Sequence, residues 1–124
     1  MKQLKKEYRT LEGGQIADIC TKIASDGKGE DIVVLDVRKM SSFTDYFVIL
    51  SGRSTRHVQA LAESMENELR SKRINTSQAE GLSEGKWVLL DFNDVVVHIF
   101  YHEQRDFYDL EGLWHDAPRL ETER

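Results

Sequence analysis

The sequence contains one cysteine and one proline. No apolar run in it approaches the roughly 18 residues that a membrane-crossing helix needs. A single thiol excludes an internal disulfide framework and every metal site built from several cysteines. Cys20 falls in an apolar helical stripe and reads as a small buried hydrophobe. The opening Met1-Lys2-Gln3-Leu4-Lys5-Lys6-Glu7 carries positive charge with no apolar stretch behind it, so no signal peptide is expected. These absences point to a soluble protein of the reducing cytoplasm.

Basic residues are scarce in one part of the chain. Residues 77–124 hold four Lys and Arg against 11 Asp and Glu, a net charge of −7, whereas residues 1–76 carry +2. An acidic surface repels phosphate backbones, which argues against direct sequence-specific nucleic-acid binding. It would attract a basic protein, although charge that merely maintains solubility fits equally well.

What remains is an ordinary globular composition: 124 residues, 40% apolar and 31% charged. One domain over 1–124 is expected, with an ordered core at about 13–115. A polar lead-in precedes it, with Leu4, Tyr8 and Leu11 at helical spacing, and a loose polar tail follows from 116. Ile16, Ile19, Cys20, Ile23 and Ala24 form one stripe of a helix over 13–26, ended by Gly27 and Gly29. The β-branched run Ile32–Val37 reads as a central strand covered on both faces, and Tyr46–Leu50 as a second strand.

Ser54 is a natural N-cap for the longest helix, 55–72, which buries Val58, Leu61, Ala62, Met65 and Leu69. Asn75–Glu80 reads as a weak edge strand. Lys86–Leu90 and Val95–Tyr101 are two more strands, joined by the hairpin signal Asp91-Phe92-Asn93-Asp94. A helix over 103–114 closes the order α-β-β-α-β-β-β-α. The predicted fold is α/β (α+β), a mixed five-stranded sheet covered by helices.

Catalytic and metal patterns are weak. His98 and His102 are four apart, a spacing that brings two ligands together on a helix but not across a strand end, so His98 reads as a sheet histidine. His57 reads as solvent-facing or interfacial. No Gly-x-Ser-x-Gly elbow surrounds Ser51 or Ser54. Ser51-Gly52-Arg53-Ser54-Thr55-Arg56 leads into a helix N-terminus that could hold an anion, but a capped turn with two solvated arginines is the simpler reading.

A nucleotidyltransferase would follow such a turn and helix with paired carboxylates on the next strand to hold Mg²⁺. Here that stretch is Asn75-Thr76-Ser77-Gln78-Ala79. Asp91 and Asp94 read as turn formers. No enzyme, metal or cofactor is expected; a residual nucleotide-binding or nucleotidyltransferase-like enzyme is the alternative. Trp87, beside acidic Glu80, Asp91 and Asp94, suits an interface anchor as well as a core position. Trp114 reads as packing the last helix onto the sheet.

Several motifs together resemble the Iojap, or ribosomal silencing factor, family. These are Ser42-Phe43-Thr44-Asp45-Tyr46-Phe47-Val48-Ile49 followed by Ser51-Gly52-x-Ser54-x-Arg56-His57-Val58, then Glu80-Gly81 with Trp87-Val88-Leu89-Leu90-Asp91. Val95-Val96-Val97-His98-Ile99-Phe100 and Arg105-x-Phe107-Tyr108-x-Leu110-Glu111-x-Leu113-Trp114 complete the set, in order, across about 14–117. The resemblance implies a core similar to a minimal nucleotidyltransferase without its catalytic carboxylates. It implies a partner, the basic large-subunit ribosomal protein L-fourteen, and a role in blocking small-subunit docking when nutrients are scarce. It also implies a homodimer when free. The family's hairpin turn usually carries Gly where this chain has Asn93, at a cost of about 1 kcal/mol. The expected contact residues are Glu80, Trp87, Leu90, Asp91 and Asp94, with Asp45 and Tyr46 as second choices.

Overall fold

The structure, a computed structural model, describes residues 12–120. The expected lead-in residues Leu4, Tyr8 and Leu11 lie outside them. Helix α1 (Gly13–Asp26) starts with a capping box in which the Glu12 amide donates to Gln15 Oε1 at 2.8 Å. Its stripe of Ile16, Ala17, Cys20 and Ala24 is buried. Burial pushes the Cys20 thiol up to about 12, which leaves it an inert hydrophobe.

Strands β1 (Glu30–Asp36) and β2 (Tyr46–Gly52) follow, antiparallel to each other. Helix α2 (Thr55–Ser71) then crosses the sheet with Val58, Leu61, Ala62, Met65 and Leu69 inward. Ser54 Oγ accepts the His57 amide at 3.0 Å, the cap its position called for. Strands β3 (Gln78–Glu80), β4 (Trp87–Asp91) and β5 (Val95–Tyr101) form a meander. Helices α3 (His102–Tyr108) and α4 (Leu110–Leu113) and strand β6 (Arg119–Leu120) finish the chain.

The sheet has six strands in the order β3-β4-β5-β2-β1-β6. Among the described strands only β2 and β5 pair in parallel, and the segment joining them contains α2 and the β3–β4 pair. This architecture is the expected mixed sheet, with three corrections. The tail is not loose throughout: Arg119 and Leu120 pair with Leu35 and Val34 as a sixth strand. The run at 32–37 is not central. β1 sits one strand from the edge, and the chain's two nearly continuous buried strands are β2 and β5. The last helix is not continuous either, because Asp109 adopts a left-handed conformation (φ 47°) that ends α3. The Asp109 side chain then caps α4 by accepting the Gly112 amide.

Two apolar layers result. Helices α1 and α2 cover one face of the sheet, where Val34, Val48, Leu50, Val88, Leu90, Val97 and Ile99 lie. The other face carries Leu35, Phe47, Ile49, Val96 and Phe100, with Trp87, Leu89, Leu110 and Trp114 packed at its margin. Trp114 meets Phe47 edge-on at 5.0 Å, so it does pin the C-terminal segment to the sheet.

Arg105 bolts that segment down further. Its guanidinium donates to both carboxylate oxygens of Glu111 (3.0 and 3.1 Å) and to Ser51 Oγ at the end of β2 (2.9 Å). The hydrogen bonds from Arg105 hold the Glu111 carboxyl below the usual carboxylate range, against the opposing effect of burial.

Candidate partner-binding surface

Strand β4 alternates, and that alternation sorts the expected contact residues. Trp87, Leu89 and Asp91 share one face and are half-buried; Val88 and Leu90 share the other and are buried. Leu90 is 0% exposed, in the layer beneath the helices. Its place as a contact residue is therefore corrected: reaching a partner would require removing the helices from the sheet. The two-residue period carried this signal, since Trp87 and Leu90 cannot point to the same side of one strand.

Glu80 pairs with Leu89 and Gln78 with Asp91 across the β3–β4 ladder, so Glu80, Leu89, Trp87 and Asp91 lie on the same open face. Trp87 and Asp91 are about 13 Å apart along the strand at the usual rise per residue. Between them the β3 edge is short and all three of its residues are exposed. Gly81 adopts φ +83°, and a Cβ there would collide with the Trp87 carbonyl oxygen. The Glu80-Gly81 pair thus lets the chain pass close behind Trp87.

Asp45, Tyr46 and Asp94 form a second group at the hairpin end. The amides of Asp45 and Tyr46 both donate to the Asp94 carbonyl, at 2.9 and 3.1 Å. Asp91 reaches the same end and accepts the Asn93 amide on Oδ1 at 2.8 Å. Asn93 takes the positive φ, 75°, that the turn demands. Asp45 is half-buried and Asp94 exposed, so the hairpin rim presents three carboxylates. Tyr46 lies on the helix-covered face, its ring against Gly13 and beneath the Arg38 guanidinium (5.4 Å to the centroid). It borders the acidic rim and stands apart from Trp87.

Trp87 itself is both core and surface. Its indole stacks on Phe100 at 4.9 Å, its strand-pair partner, and touches the Tyr108 ring at 4.6 Å. Its Nε1 donates to His98 Nδ1 at 3.1 Å. The surface continues onto α3 and α4 through residues that sequence reasoning did not single out as contacts. Phe107, Tyr108 and Leu113 are 78%, 44% and 76% exposed. Their signal was present: two aromatics in succession on a helix cannot both turn inward. Exposed Glu103, Asp106 and Asp109 lie on the same segment.

The Ser51–Arg56 turn reads differently. His57 Nδ1 accepts the Arg53 amide (3.0 Å), His57 Nε2 bonds the Gly27 carbonyl (2.7 Å), and Arg53 pairs with Glu30 (3.3 Å). His57 is a half-buried clamp between turn and α1, and the turn's groups serve the fold. Among the described residues no cluster of three or more His, Cys, Asp or Glu is placed to hold a metal ion. None of their helices is long and apolar enough to cross a membrane.

Residues 10–124 match the family described as "Ribosomal silencing factor during starvation". The chain belongs to the ribosomal silencing factor family. A ribosomal silencing factor from Bacillus subtilis is 41% identical over 103 residues, spanning 83% of this chain and 87% of that protein. The crystal structure of a Chromobacterium violaceum protein shares the fold with a TM-score of 0.82 at 34% identity, covering 91% of this chain and 93% of that one. A mouse protein named for mitochondrial assembly of the ribosomal large subunit is 34% identical over 100 residues, 78% of this chain and 44% of its own length. Family membership assigns the chain to ribosome silencing and translation regulation, a regulatory role.

Proposed function

We propose that this protein docks on the large ribosomal subunit through the basic ribosomal protein L-fourteen, in the cytoplasm, and stands in the way of the small subunit. One observation carries the reading: a half-open aromatic face, centred on Trp87, bordered by carboxylates from β3, β4, the hairpin and α3. A basic partner would pair its Arg and Lys with Glu80, Asp91, Asp94 and Asp45 at the rim. Trp87, desolvated in the middle, would supply most of the affinity. The mouse relative's name supports a large-subunit partner, and steric obstruction requires no catalytic group. Self-association through the same aromatic face would compete with docking and would show as weaker apparent binding at higher protein concentration.

Co-sedimentation with separated subunits tests this. Binding to the large subunit, with loss of subunit joining when the small subunit is added, is the expected result. Trp87→Ala should weaken binding by about 2 kcal/mol or more while the protein stays folded. Undiminished binding by that variant would remove Trp87 from the anchor role.

A further inference from the structure

From Val95 to Phe100, strand β5 is apolar in every position but one. Val95, Val96, Val97, Ile99 and Phe100 surround His98, which is 5% exposed. An imidazole buried there is costly. Among the described residues its Nε2 has no hydrogen-bond partner, and desolvation drives its basicity far down. A leucine would fill similar space without stranding a polar atom.

What the histidine adds is a single acceptor. The Trp87 indole can only donate, so the 3.1 Å bond from Trp87 Nε1 to His98 Nδ1 requires an unprotonated Nδ1. The neutral ring therefore carries its proton on Nε2, the stranded nitrogen.

The surrounding geometry makes this acceptor a fixed point. His98 lies opposite Leu89 and diagonal to Trp87 in the β4–β5 ladder. Phe47 meets the imidazole edge-on at 5.2 Å from β2, and the ring lies at 15° to the Phe100 plane, 6.5 Å away. The imidazole is thus held from two neighbouring rings, while the indole is only half-buried. Phe100 and Tyr108 supply faces to pack against but no direction.

We infer that His98 is a positioning residue for partner binding, holding the Trp87 indole in its docking orientation through the Nε1–Nδ1 hydrogen bond. This rests on the reading of Trp87 as the anchor. The orientational entropy of the indole is then spent on folding rather than on binding.

The test uses the full chain and purified large ribosomal subunits. His98→Leu removes the acceptor and the stranded N–H together, and should weaken subunit binding about five-fold, the equivalent of one hydrogen bond. His98→Asn places an amide oxygen near the Nδ1 position and should restore most of that loss, which a purely packing role would not allow. In Trp87→Phe, which has no donor, adding His98→Leu should cost nothing more. The indole N–H of Trp87, read by nuclear magnetic resonance with Trp114 as the internal reference, should exchange slowly in the unaltered chain and in His98→Asn, and fast in His98→Leu.

Weakened binding by Trp87→Ala together with undiminished binding by His98→Leu would overturn the inference alone. Equal loss in His98→Asn and His98→Leu, with the indole N–H protected in the former, would also overturn it. Undiminished binding by Trp87→Ala would take down the anchor reading and the inference with it.

Discussion

On the helix side of the sheet, Val48, Leu50, Val88, Leu90, Val97 and Ile99 are wholly inaccessible beneath α1 and α2. On the opposite side the cover is a short C-terminal segment, and Val33, Trp87 and Leu89 stay half-buried beside the exposed Phe107, Tyr108 and Leu113. Both faces are apolar, yet one is closed by helices of 14 and 17 residues and the other by helices of seven and four. The first face supplies the bulk of the stability, since each fully buried aliphatic side chain contributes about 1.5–3 kcal/mol. The second retains uncovered apolar area that a partner can desolvate. Neighbouring residues of one strand, Leu89 and Leu90, therefore serve different ends.

That contrast can be broken most sharply at those two leucines. Leu90→Ala should cost about 3 kcal/mol in denaturant unfolding, because it opens a cavity under the helices. Leu89→Ala should cost about 1 kcal/mol in stability and do its damage in subunit binding instead. Equal losses for both would mean that the two faces are not energetically distinct.

Acid should act next, and on the open face. Burial pulls the His98 imidazole down to about 4 from its ordinary 6.5. Between those values the unfolded chain takes up the proton and the folded chain does not. The stability contributed by keeping His98 neutral is complete above pH 6.5 and is lost as pH falls to about 4, by about 3 kcal/mol in total. Unfolding curves across that window should flatten in His98→Leu. The carboxylates of Asp36 and Glu111, held low chiefly by hydrogen bonds from Arg38 and Arg105, lose their contributions only as pH falls further, below about 4.

Arg105→Ala should loosen the thin cover itself. It leaves the partly buried Glu111 carboxylate to the longer 3.6 Å contact with Arg119 and frees Ser51, at about 2 kcal/mol. Hydrogen exchange should rise in α3 and α4 before α1 and α2, and exchange that rises uniformly would contradict a separable cover. The smallest change is expected at the hairpin. Asn93→Gly relieves a positive φ and should raise the melting temperature slightly, by less than about 1 kcal/mol of stability.

Much of this was legible in the residues. The stripes of α1 and α2, the Ser54 cap, the Asn93 turn, the β3 edge and the hairpin of β4 and β5 all follow from local rules: a period of 3.6 or 2, an oxygen that can cap, a side chain that tolerates positive φ. Buried Cys20 and the sheet position of His98 were readable in the same way. The proposed contact surface was only half legible. Glu80, Trp87 and Asp91 are on one face, Asp94 and Asp45 rim its hairpin end, and Tyr46 borders that rim from the other side. Leu90 was misplaced where parity within the strand had not been applied. Phe107, Tyr108 and Leu113 were passed over because nothing local shows how little of an aromatic-rich helix the sheet can receive.

The sequence by itself determined most of the elements and their boundaries, the acidic bias of residues 77–124 and the family. Each of these depends on neighbours within a turn or two of chain, or on residue types in order. Only the tertiary structure decided which strand is central, that Arg119 and Leu120 join the sheet, that Arg105 ties α3 to β2 and α4, and that the nitrogen beneath Trp87 belongs to His98. Those are pairings between residues up to 86 apart, as in Val34 with Leu120, and no local preference encodes them. They are settled by which arrangement buries the most apolar surface while leaving the fewest polar atoms unmatched.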